Sequence, residues 1–196
     1  MLPALLLLTA APLAAQSIPP RVDAAIGVGY AKTWDDEGSI GNGLSVGGDV
    51  SFRVTPRFGL GVRVERFHNY RDASDGVIVF DGDSTLVGAE ARFRFGKGTV
   101  QPVVHAGYGV LSYSGTTTTG PPRNPPFLDL RTTPIPTVIT PHSGRADVAS
   151  GGADVDVFVS RHLSIRPGFT IHMSASDDGS LPWSIWRGGV AIGLHW

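Results

Sequence analysis

Residues 44–67 read LSVGGDVSFRVTPRFGLGVRVERF, with apolar and polar residues in alternation. Leu44, Val46, Val50, Phe52 and Val54 share one parity, and Ser45, Gly47, Asp49, Ser51 and Arg53 take the other. A strand points successive side chains to opposite faces, so the pattern predicts a strand with one apolar and one polar face. After Thr55-Pro56-Arg57 the alternation resumes, with Phe58, Leu60, Val62 and Val64 set against Arg63 and Glu65. So short a break predicts a tight hairpin. The phase must carry across the turn, because a slip of one residue would exchange the two faces. With Val54 opposite Phe58, Asp49 falls opposite Arg63, an acid against a base.

The same pattern recurs over residues 22–34, 85–95, 100–111, 149–159, 163–173 and 184–196, which makes eight strands in all. Strands two and three, four and five, and six and seven are separated by only a few residues, while the alternate connections, 35–43, 68–84, 112–148 and 174–183, are much longer. Within the second of these, residues 76–80 extend strand four and Asp81-Gly82-Asp83 forms a bulge. If Phe95 faces Val100, Glu90 lies opposite His105; if Val159 faces Leu163, Asp156 meets Arg166. Short turns alternating with long loops are the pattern of a barrel in a bacterial outer membrane, with the turns and both chain ends in the periplasm.

The two faces differ in charge. One carries almost only aliphatic and aromatic residues; the other carries Asp23, Asp49, Glu65, Glu90, Asp154 and Asp156 together with Arg53, Arg63, Arg92, Arg94, Arg166 and Arg187. A soluble lipocalin-type barrel would turn the apolar set inward. The near-neutral balance of the charged set argues for the reverse, because charges confined in a lumen must be paired. The fold class expected is all-β: a closed, antiparallel, up-and-down transmembrane barrel of eight strands. A lumen of that size is filled by its own side chains, so a plugged barrel is expected, with Asp49, Arg63, Glu90, His105, Asp156 and Arg166 in its charge network.

Composition narrows the function classes. The chain has 196 residues, 26 of them glycine and 15 proline, which suits one turn-rich domain. Lys and Arg number 16 against 17 acids, so there is no basic excess for nucleic acid. The absence of cysteine excludes disulfides, thiolate metal sites and a lipidated cysteine. Residues 1–15, MLPALLLLTAAPLAA, form a short apolar run ending in small residues, as a cleaved secretory signal does, although no Lys or Arg precedes the run. The barrel domain then spans 16–196. The 112–148 loop is rich in Thr and Pro and lacks alternation.

The final strand, WSIWRGGVAIGLHW over residues 183–196, alternates Trp186, Val190, Ile192, Leu194 and Trp196 and ends on an aromatic residue. With seven preceding strands of matching period, the chain resembles the small eight-stranded outer-membrane barrels of the OmpA/OmpX type. The resemblance implies that Ile192, Leu194 and Trp196 form the signal read by the outer-membrane barrel assembly machinery, and that Trp196 ends the protein. Tyr30, Trp34, Phe58, Phe95, Tyr108, Trp183 and Trp196 lie near expected strand ends, as aromatic girdles do.

Candidate chemistry is sparse. His172 and Ser174 form a His-x-Ser pair that resembles the catalytic pair of the lipid A deacylase barrels. That family follows the serine with asparagine and carries a glutamate on the last strand, whereas here Ala175 follows and strand eight has no acid. Parity also turns His172 toward the lumen. The histidines repeat no ligand spacing, so neither a metal nor another cofactor is expected. Acids cluster in the outer loops without the ligand order of a calcium loop. The expected function is a non-enzymatic barrel of the outer membrane, serving envelope structure or surface interaction through its loops. Its expected partners are the lipid bilayer and lipopolysaccharide, and it is expected as a monomer. A narrow solute channel and a deacylase-like enzyme are the alternatives.

Overall fold

A computed structural model describes residues 21–35, 38–72, 78–119, 138–175 and 184–196. They form β1 (Arg21–Asp35), β2 (Gly38–Arg53), β3 (Phe58–Asp72), β4 (Ile78–Arg94), β5 (Val100–Thr119), β6 (Val138–Phe158), β7 (Leu163–Ala175) and β8 (Ser184–His195). Each strand pairs antiparallel with its sequence neighbours, and β8 pairs with β1 to close the barrel. The expected signal segment, Trp183 and most of the 112–148 loop's centre lie outside the described residues.

The register fixes the shape. From Ala24 the ladder passes through Val50, Val62, Ala89, Tyr108, Ala149, Met173 and Ser184 and re-enters β1 at Trp34. That return is ten residues beyond its start, a shear of ten over eight strands. At ~3.3 Å per residue and ~4.8 Å between strands, this tilts the strands by about 41°. On β1 the outward residues Val22, Ala24, Ile26, Val28 and Tyr30 precede Lys32, and ten residues at that tilt rise about 25 Å, the height of an outer-membrane apolar band.

The outward face is the apolar one. Ile26 is 67% exposed, Leu44 73% and Val62 54%, and similar residues on every strand join them in a continuous belt. A soluble monomer does not expose so large an apolar surface. Of the expected girdle, Tyr30, Trp34, Phe95, Tyr108 and Trp196 point outward and exposed. Tyr108 is not near a strand end, because β5 continues to Thr119.

The strands run further outward than the alternation indicated. Residues 112–119 and 138–148, expected as loop, continue the β5–β6 ladder as far as Thr119 opposite Val138. The bulge expected at Asp81-Gly82-Asp83 is absent: these residues pair in unbroken register with both neighbours. The register shift on β1 lies between Thr33 and Trp34 instead.

Two hairpin registers match the sequence pattern. Asp49 stands opposite Arg63, and the β6–β7 ladder has the register that sets Asp156 opposite Arg166. In the first turn the Thr55 hydroxyl accepts from the Phe58 amide at 2.9 Å. The third register differs: His105 lies opposite Arg92, and Glu90 opposite Gly107. Gly96 adopts φ +80°, and the Phe95 amide donates to the Pro102 carbonyl, so Pro102 takes the place expected of Val100. A shift of two preserves the faces, and His105 still points inward.

This orientation gives Val62, at mid-belt on β3, a lipid contact. Val62→Arg is expected to lower stability by about 2–4 kcal/mol, measured by denaturant unfolding in phospholipid vesicles.

Candidate functional site in the barrel lumen

All twelve charged residues of the polar face point into the barrel, and each is buried or partly buried. Every arginine among them meets an acid. Near the periplasmic end Arg53 pairs with Asp23 at 2.5 Å, and Arg94 with Asp156 at 2.9 Å. Arg166 pairs with Asp156 at 2.6 Å and reaches Asp49 across the lumen at 3.4 Å. Higher up, Arg92 joins Asp49 at 2.6 Å and Glu90 at 2.5 Å, and Arg63 joins Glu90 at 2.9 Å. Arg187 binds Glu65 above them.

The partners are therefore mostly diagonal rather than directly opposite. Asp49 and Arg63 face each other in the ladder, yet Asp49 bonds Arg92 two strands away, and Arg63 bonds Glu90. A guanidinium on a long stem reaches past its neighbour, and glycines leave room for it. A Cβ on Gly29 or Gly189 would lie only 3.1 Å from an Arg187 guanidinium nitrogen. His105 finds its acid in Asp154, with Nδ1 at 3.1 Å from Oδ2, and its Nε2 lies 3.2 Å from the Thr170 hydroxyl. The cavity left among Asp49, Arg63, Arg92 and Arg166 measures about 30 Å³. That holds about two waters.

Two Ser–His–acid relays emerge that the sequence reading missed, because their members lie on separate strands. His195 Nε2 is 2.8 Å from Ser164 Oγ while its Nδ1 is 2.6 Å from Asp23. His172 Nδ1 is 2.8 Å from Ser150 Oγ, and its Nε2 is 3.6 Å from Glu65. The first has the connectivity of a nucleophilic triad. Yet Ser164 is 0% exposed and offers no face to a substrate. Ser174, the serine of the expected His-x-Ser pair, is also buried at lumen parity, and the hydroxyl His172 engages is that of Ser150.

Above the charges the lumen turns apolar. Ala31, Phe67, Leu86, Leu111, Val148 and Ile185, from six different strands, form one cluster in which no member is more than 2% exposed. Once the tilt is allowed for, the register brings all six to one height. Phe67 packs edge-on against His172, with ring centroids 5.5 Å apart.

Outside the barrel, at the upper edge of the belt, Arg66 donates to Asp83 at 2.8 Å, and His68 lies 3.1 Å from Asp83 and 3.8 Å from Asp81. His68 thus lies on the outside of the barrel wall and His172 on the inside. Among the described residues no group of three or more His, Cys, Asp or Glu side chains has the arrangement of a metal site. Ile192, Leu194 and Trp196 all face outward, and the Trp196 amide donates to the Val22 carbonyl at 2.9 Å across the closing seam.

The sequence matches the profile of the outer membrane protein beta-barrel domain over residues 1–194. No curated protein matches it in sequence. Among solved structures, surface protein A of Neisseria is similar at 15% identity, over 89% of this chain and 96% of that one, with a TM-score of 0.63. The attachment invasion locus protein Ail of Yersinia pestis, in complex with the heparin analogue sucrose octasulfate, is 12% identical over 91% of this chain and all of that one (100%), with a TM-score of 0.54. The N-terminal barrel of Pseudomonas aeruginosa OprF is 14% identical over 89% and 97%, with a TM-score of 0.52. At these identities the likeness is one of fold.

Because Arg166 neutralises Asp156 in a buried setting, Arg166→Met is expected to cost about 3–5 kcal/mol. Adding Asp156→Leu is expected to recover little of that loss in the same unfolding measurement, because it also takes from Arg94 the acid it meets at 2.9 Å.

Proposed function

The chain belongs to the outer membrane protein beta-barrel domain family and resides in the bacterial outer membrane; from that premise we propose that it is a non-enzymatic, non-conducting barrel that serves envelope structure or surface contact through its outer end. The observation that carries this reading is the filled lumen. Arginine–acid pairs bridge it from wall to wall, and an apolar layer lies over them. An ion would have to pass both layers.

The outer end offers the larger interaction surface. The β5–β6 hairpin continues from Ser112 opposite Arg145 to Thr119 opposite Val138, beyond the height of the apolar layer. Val138 and Ile139 are exposed there. Ail was solved with a heparin analogue, and the neisserial barrel is a surface protein by name. A contact role at the outer end of this barrel is in keeping with both. Lipid and lipopolysaccharide surround the belt, the assembly machinery reads the last strand at Ile192, Leu194 and Trp196, and the folded chain is a monomer.

A deacylase needs its serine at the lipid face, and in this barrel the serines bonded to His172 and His195 point inward. Purified protein in planar bilayers is expected to give no steady openings, and no fatty acid is expected to leave lipid A, with or without Ser174→Ala. Steady openings of the unaltered chain, or hydrolysis abolished by Ser174→Ala, would contradict the proposal.

A further inference from the structure

We infer that the lumen is sealed by its apolar ring, and that the ion pairs beneath fill the barrel without closing it. The inference rests on the closed-barrel reading and assigns the closure to particular side chains: Phe67 and Ile185, the two largest fully buried apolar side chains of the ring, with Leu86, Leu111 and Val148 between them.

The ring is out of character with the rest of the lumen. Directly above it the inward groups are polar: Thr33 donates to Asn69 at 3.2 Å, and Ser84 lies at the same end. Directly below are Glu65, Arg187, Ser150 and His172. Lumen parity elsewhere selects mostly charge, glycine or a hydroxyl, with scattered exceptions such as Ala25, Val103 and Phe158, yet β1, β3, β4, β5, β6 and β8 each place an apolar side chain at this one level. Leu86 and Leu111 are paired directly in the ladder. The two remaining strands meet the ring with Gly43 and Ser45 on β2 and with His172 and Ser174 on β7.

The two layers resist an ion differently. In the charged layer a passing ion finds replacement partners: arginines and carboxylates can exchange contacts, and water already fits among them. In the apolar layer nothing replaces a lost hydration shell, so the barrier is desolvation itself, as in hydrophobic constrictions that close by dewetting. The ring also has a definite depth. On the outer wall Leu44, Met173 and Trp186 stand at its height, which puts the seal at the outer edge of the apolar belt.

The test is conductance in planar bilayers with three forms of the full-length barrel, each first shown to be folded by heat-modifiable gel migration. The unaltered chain and Arg166→Ala are expected to be silent, and Phe67→Ala/Ile185→Ala is expected to open steadily. Should that pair fail to fold, Leu86→Ala/Leu111→Ala removes the same layer from β4 and β5 instead. The chain has no cysteine, so Ser150→Cys placed below the ring in the open variant provides a check on the route. A charged methanethiosulfonate reagent is then expected to reduce the current. A folded ring variant that stays silent, openings from Arg166→Ala alone, or a current untouched by labelling at position 150 would overturn the inference. Openings of the unaltered chain would instead overturn the closed-barrel reading.

Discussion

A strand that crosses a bilayer has no water to bond its amides and carbonyls, so every one must find a partner within the sheet. Here that requirement is met by the seam between β1 and β8, where Asp23 to Trp34 pair with His195 to Ser184. Everything else follows from how that seam closes. A shear of ten sets the tilt, the tilt sets the height of the apolar belt, and eight strands set a lumen that side chains fill. Closure also leaves the polar face only one place to go, which is inward.

Inward charge is costly unless it is paired, and the network answers that cost with geometry as well as with balance. The arginines bridge strands that are not neighbours: Arg92 ties β4 to β2, Arg94 ties β4 to β6, and Arg166 ties β7 to β2. The periplasmic end of the seam is held by the same chemistry, since His195 on the last strand bonds Asp23 on the first and Ser164 on β7. Geometry that would serve a nucleophile in an open cleft serves here to fix strands to each other. The relay at His172 does the same beneath the ring.

Much of this was legible in residues 22–196, for a physical reason: within the belt, lipid selects one parity and the lumen selects the other. Where that selection stops, legibility stops too. Beyond Leu111 both faces of β5 meet polar surroundings, the alternation fades into Ser and Thr, and the strand could not be followed to Thr119. The β4–β5 register is not legible in the alternation because it depends on a turn conformation at Gly96 and on Pro102, which alternation does not encode. Opposition in the ladder was legible at Asp49 and Arg63, but the choice of partner was not, because it depends on side-chain length and on glycine gaps. The ring left one faint trace. Phe67, Leu86, Leu111, Val148 and Ile185 are apolar residues at lumen parity, all near the outer ends of their segments, where they resemble fading alternation.

The account stands on the direction of the two faces. Single cysteines carrying nitroxide labels at positions 60, 62, 63, 64 and 65 of β3, with the protein folded in phospholipid vesicles, test it directly. Labels at Leu60, Val62 and Val64 are expected to collide freely with oxygen dissolved in the lipid, while labels at Arg63 and Glu65 are shielded. The opposite phase, or collision rates without alternation, would contradict a barrel that faces lipid with its apolar side and holds its charges within.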